Sequence, residues 1–200
     1  RLPFLDYLWR RVARIYPGFF VCLVVTSAVF APVSTLLTGQ GLSPGSALTY
    51  VLRNLGIVMT QHNIPHTLDH AAYPEAWNGS LWTLSYEFAA YLAAGALLTA
   101  GWVRRNATAV LGALLAGASL AVLLGSWPLQ VENAARLGAF FLAGMLLRSC
   151  RATLPLRGGL AAVALVVLVV AIGWTPAPLM HALTPVPMAY LLLWAGVALP

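Results

Sequence analysis

The sequence predicts an all-α, polytopic transmembrane bundle. Three observations carry that prediction: 60% of residues are hydrophobic, only 8% are charged, and apolar runs recur at membrane-spanning length. Mean hydropathy is +0.84. Soluble domains carry about a quarter charged residues, so a water-soluble fold is excluded on composition. All eleven basic residues are arginine, the formal net charge is +6, and the main clusters, within 1–14, at 104–105 and within 148–157, sit between apolar runs. Short basic loops of this kind stay on the cytoplasmic side, which sets the orientation of the spans. No continuous basic face or soluble domain exists to hold nucleic acid. Cys22 lies inside an apolar run and Cys150 in a basic loop, so neither a disulfide nor a cysteine metal site is expected.

In order along the chain, Leu5 to Tyr16 is amphipathic at helical period. Phe4, Leu8, Val12 and Ile15 fall on one side with Leu5, Trp9 and Tyr16, and Asp6, Arg10, Arg11 and Arg14 fall on the other. A cytoplasmic interfacial helix over 1–16 is predicted, broken at Pro17 and Gly18. The first span follows over 17–37. Residues 46–61 are too short and too interrupted, by Arg53 and Asn54, to cross, and parity with the cytoplasmic Arg104–Arg105 loop makes 46–78 an outer interfacial or re-entrant helix and loop. Spans are predicted over 79–101, 107–125, 134–148, 158–174 and 188–200, about six with the first. The links between them are a short outer loop at Trp127 to Asn133 and a proline-rich outer loop at Thr175 to Pro187. Ala113, Gly117 and Ala121 mark a close helix contact, because small side chains let backbones approach.

Glu87 is the most informative residue. It lies roughly 12 Å along its helix from Gly79, at a depth where an ionised carboxylate is costly. Helical spacing puts Ser80, Thr83, Glu87 and Tyr91 on one side, beside Ala90 and Ala94. Such a stripe requires a hydrated cavity or a protein partner, so Glu87 is expected to face inward, either as a structural hydrogen-bond acceptor or in a substrate or donor pathway. Arg11 and Arg14, three residues apart, project to one side of their helix beside Arg10. They suit either an anion clamp or a positive-inside anchor on lipid headgroups.

His62, His66 and His70 recur every four residues, with Asp69 and Glu75 nearby. Pro65 separates the first from the others, so a metal site is not expected, and contact with a polar acceptor at the outer mouth competes with simple solvation. Asn78-Gly-Ser and Asn106-Ala-Thr match the glycosylation pattern, but the first abuts the membrane and the second lies on the predicted cytoplasmic side. His181 has no assignment.

Arg11-Val-Ala-Arg14-Ile-Tyr-Pro17 ahead of one span and Trp82-Thr-Leu-Ser-Tyr-Glu87 through Tyr91 opening a later one resemble the acyltransferase 3 family of integral membrane enzymes. The two motifs occur in the family's order, and the resemblance covers most of the chain. Phe88 stands where a second acid is common, and Ala90 replaces an aromatic before Tyr91. The resemblance implies O-acyl transfer, with acetyl as the expected group, from cytoplasmic acyl-CoA to a hydroxyl of a sugar, polysaccharide, glycolipid or secondary metabolite. The setting it implies is the bacterial cytoplasmic membrane. It pairs Arg11 and Arg14 with the donor, Glu87 with catalysis, and Trp82, Thr83, Ser85 and Tyr91 with a tunnel or structural motif. It implies no permanently bound cofactor. It also places a catalytic histidine on a first helix, so that two helices and the general base are expected upstream of Arg1 and this stretch alone is expected to be inactive. A transporter or flippase, or a noncatalytic scaffold, is the alternative reading of the same polar stripe.

Overall fold

The computed structural model describes residues 4–69 and 76–198, with the Leu98 side chain set aside. Among these residues the regular structure is helical throughout: α1 Phe4–Val25, a π-helical turn Thr26–Phe30, α2 Ala31–Thr38, α3 Pro44–Asn54, α4 Thr83–Thr99, α5 Gly101–Arg105, α6 Ala107–Leu124, α7 Leu129–Ser149, α8 Gly158–Trp174, α9 Ala177–Leu183 and α10 Pro185–Ala198. The chain forms two compact units, Arg1–Ala96 and Leu97–Pro200.

In the first unit, α1 runs unbroken through Pro17 and Gly18, which corrects the expected break. One lost backbone bond is tolerable in an apolar helix whose flanking turns are otherwise held. Phe19 and Leu23, four residues apart just beyond the proline, are buried at 3% and 0% exposure. Tyr16 stacks on Phe20 with parallel rings 6.4 Å apart. The ladder changes register only in the π-helical turn ahead of Pro32, a residue with no N–H to offer the preceding turn. Phe19 and Leu23 meet Ala31, Ala47, Tyr50, Ile57 and Ile64 in one core, with Trp77, Leu81 and Leu84 against it. The apolar side assigned to α1 is also revised: Leu5 and Trp9 are exposed, whereas Arg11 is half-buried.

α3 ends at Asn54, whose fully buried amide organises the irregular segment that follows. Its Nδ2 donates to the Gln61 carbonyl at 2.8 Å, and its Oδ1 accepts from the Thr60 and Gln61 N–H groups at 2.9 and 3.1 Å. Farther on, the Trp77 Nε1–H donates to Thr67 Oγ1 at 2.7 Å, and Thr67 donates to the Ile64 carbonyl at 2.6 Å. Irregular backbone buried in an apolar fold requires such partners.

In the second unit α6, α7, α8 and α10 pack around an alanine-rich core, Ala139, Ala143, Ala161, Ala164 and Ala189, with Leu115, Leu147 and Tyr190. Short side chains let these helices approach closely. The small-residue stripe expected to make such a contact does not. Ala113 and Gly117 are exposed, and α6 buries Leu111, Leu115 and Val122 instead. The Tyr190 hydroxyl donates to the Pro155 carbonyl at 2.8 Å and accepts the Arg157 N–H at 3.0 Å, tying α10 to the segment that leads into α8.

Boundaries over 107–125 and 158–174 agree with α6 and α8. α7 begins at Leu129, so the expected loop to Asn133 is shorter. The Thr175 to Pro187 loop holds α9, because prolines at the first turn of a helix give up only N–H groups that have no partner there. By length and apolarity Phe4–Thr38 and Ala107–Leu124 qualify as membrane spans, and α9 with α10, bent by 41°, make a third if they count as one. The other predicted spans do not meet that measure. α8 has 17 residues, α4 starts only at Thr83, and α7 carries Glu132, Arg136 and Arg148.

Candidate active site

Within the first unit, α1 and α4 bring the two motifs together. Residues 7 and 11 stand one helical turn apart on α1, and residues 87, 91 and 95 follow at the same spacing on α4. The Arg11 guanidinium lies between two rings, its Cζ 5.2 Å from the Tyr7 centroid and 4.8 Å from the Tyr91 centroid. The Tyr91 hydroxyl donates to Glu87 Oε1 at 2.6 Å, a short, charge-assisted bond. Arg14, which is exposed, is within electrostatic reach of the same phenol. Tyr7, Arg11, Tyr91 and Glu87 thus form one connected row.

Gly95 makes the approach possible. A methyl group there would sit 2.6 Å from Phe4 Cε2 and 3.1 Å from Tyr7 Cε1, inside contact distance of rigid rings. Both rings lie within cation–π distance of the guanidinium, and its five N–H donors lie in its own plane and point outward along its edge. That is the geometry with which arginine binds phosphate oxygens. Glu87 is exposed, not enclosed by neighbouring helices as expected, and its carboxylate turns to Tyr91.

The remaining motif residues serve the start of α4. Thr83 Oγ1 donates to the Ser80 carbonyl and Ser85 Oγ to the Trp82 carbonyl, both at 2.8 Å. Trp82 packs edge-on against Tyr86 at 5.6 Å. Asn78, whose left-handed φ of +52° is tolerated better by asparagine than by most residues, turns the chain into this helix. Its Nδ2 donates to Thr26 Oγ1 at 2.5 Å and, at 3.5 Å, to the Tyr50 hydroxyl. Burial pushes the Tyr50 phenol above the ordinary tyrosine range, and the Asn78 bond opposes that rise. The Asn78 side chain is therefore committed to the fold.

Of the histidines, His62 and His66 are exposed, and His66 Nδ1 is 3.7 Å from Asp69 Oδ2. His70 and Glu75 lie outside the described residues. Among the described residues no three histidine, cysteine or acidic side chains gather as metal ligands.

Sequence reasoning missed Tyr7, Gly95 and Asn54. Tyr7 has a legible signal, its one-turn spacing from Arg11. Gly95 owes its role to Phe4 and Tyr7, distant in sequence, whereas Asn54 bonds to Thr60 and Gln61 in the turn that follows it.

Apolar, span-length helices and an arginine-tyrosine-glutamate row joining two helices define a helical, membrane-type protein with a polar site. The family comparison is specific: residues 1–199 match the acyltransferase domain of the acyltransferase 3 family, and the chain belongs to that family. Comparison with curated proteins gives no match, and comparison with solved structures gives none either.

Proposed function

We propose that this chain serves an O-acyltransferase of the bacterial cytoplasmic membrane, moving an acyl group, acetyl in the expected case, from acyl-CoA to a hydroxyl of a sugar, polysaccharide, glycolipid or small molecule. The observation that carries this reading is the Arg11 guanidinium held between Tyr7 and Tyr91, with Tyr91 in turn bonded to Glu87. Stacking removes the rotational freedom of a long side chain before any ligand arrives, and such preorganisation favours binding. Arg11 and Arg14 then take phosphate oxygens of the donor through in-plane donors.

In the reaction the acceptor hydroxyl oxygen bonds to the thioester carbonyl carbon, the carbon–sulfur bond breaks, and the thiolate leaves with the electron pair. The hydroxyl proton passes to a general base. Glu87 is a positioning residue in this scheme. Its carboxylate fixes the Tyr91 hydroxyl, and Tyr91 fixes the guanidinium. Exposed His62 and His66, with His70 beyond the described residues, are acceptor-side candidates.

The test is full-length protein reconstituted in vesicles with labelled acyl-CoA and a panel of glycan, glycolipid and small hydroxyl acceptors. Label is expected on an acceptor, and its transfer should fall when Arg11 is replaced. Movement of a solute across the vesicle without donor consumption overturns the proposal in favour of a transporter.

A further inference from the structure

In the second unit, a cavity of about 490 Å³ opens between α7, α8, α9 and the start of α10. Its walls are apolar, Leu137, Phe140, Leu168, Ile172 and Met188, whereas Arg136, His181 and Thr184 supply its polar groups. A second hollow of about 280 Å³ shares Phe140 and Met188 with the first and continues past Gly144 to Leu192 and Leu193. Arg136, Phe140 and Gly144 follow at four-residue spacing along α7, as do Met188 and Leu192 along α10, so the two hollows make one track of roughly 12 Å with its cation at one end.

We infer that this track is a phospholipid site, with one acyl chain along Phe140, Gly144, Met188 and Leu192 and the headgroup phosphate at Arg136 and His181. An alkyl chain fits the track because its lower half is lined by apolar side chains and Gly144. A phosphate fits the end because Arg136 has donors to spare: its one acidic neighbour among the described residues, Glu132, stands 3.8 Å away and engages a single guanidinium nitrogen. That same carboxylate disfavours heads with several negative charges, so the fitting head carries a single phosphodiester. Gly144 matters for room. A side chain built there meets no atom within 4 Å and would enter the track itself.

The experiment is native mass spectrometry of the full-length protein released from detergent micelles, with dioleoylphosphatidylglycerol, dioleoylglycerol or inorganic phosphate added. The wild type should retain one phospholipid, and dioleoylglycerol and inorganic phosphate roughly tenfold less well. Gly144→Leu, which fills the track, should lower phospholipid retention about tenfold, whereas Gly117→Leu on exposed α6 surface should leave it unchanged. Arg136→Gln, which leaves the track open, should bring phospholipid down to the level of dioleoylglycerol without changing the latter. Wild-type retention in both Gly144→Leu and Arg136→Gln, or equal retention of dioleoylglycerol and phospholipid by the wild type, overturns the inference.

Discussion

The Arg11 guanidinium and the Tyr91 ring face each other across α1 and α4, Cζ 4.8 Å from the ring centroid, and through the Tyr91 hydroxyl the pair reaches Glu87. The two sequence motifs therefore meet through a tyrosine and not by direct ion pairing. Replacing Tyr91 by phenylalanine separates the two halves of this link. The ring remains to stack, and the bond to Glu87 is lost. In steady-state assays, Tyr91→Phe should raise the KM for acyl-CoA by about fivefold, and Tyr91→Leu, which removes the ring as well, by about tenfold or more. Equal effects of the two would show that stacking contributes nothing.

Glutamine at position 87 keeps an oxygen that accepts from Tyr91, and alanine does not. Glu87→Gln is thus expected to keep most donor affinity while Glu87→Ala resembles Tyr91→Phe. A Gln variant as inactive as the Ala variant, with donor binding intact in both, would mean that the charge acts directly on the reaction.

Isothermal titration of CoA into detergent-solubilised protein checks the clamp. Arg14→Ala and Arg11→Ala should each weaken binding at least about tenfold, with circular dichroism unchanged. Arg11→Lys should not rescue, since an ammonium lacks the planar edge of donors that stacking presents.

Gly95→Ala places a methyl group against the Phe4 and Tyr7 rings and should cost about 1–3 kcal/mol in thermal unfolding. Gly117→Ala, on an exposed position with open space around it, should be near neutral in the same measurement.

Asn54→Ala leaves the Thr60 and Gln61 N–H groups and the Gln61 carbonyl without their buried side-chain partner in a partly buried turn. A loss of about 3 kcal/mol is expected, together with faster proteolysis between residues 55 and 69. Retained wild-type melting and cleavage would assign the ordering of that segment elsewhere.

Much of the helical layout was legible because apolar runs bounded by arginine, glycine and proline leave few other choices. The apolar stretches 107–125 and 158–174 fold as the helices α6 and α8, of which α6 is long and apolar enough to span a membrane. Proline was overread in both directions. Pro17 does not stop α1, because neighbouring aromatic and aliphatic side chains hold the turns on either side, and the prolines of 175–187 start helices instead of forming a loop. The Ala113, Gly117 and Ala121 stripe misled because small residues permit close packing without requiring it, and the burial of Leu111, Leu115 and Val122 decides which way α6 turns. At the site, the arginines, Glu87 and Tyr91 were legible from charge and spacing. Tyr7 was marked by its one-turn spacing from Arg11, but Gly95 was not legible, since its importance lies in a crossing with Phe4 and Tyr7 in a segment far away in sequence.

Among the described residues, the stretch 54–69 has a buried side and an exposed one. Asn54, Ile64 and Thr67 are buried and hold the backbone through their own bonds or packing, while His62, Pro65 and His66 stand exposed on the same stretch. Side chains on that outer rim can be exchanged without disturbing the mooring beneath. Substitutions at His62, Pro65 or His66 therefore change what this rim touches while the buried moorings stay as they are.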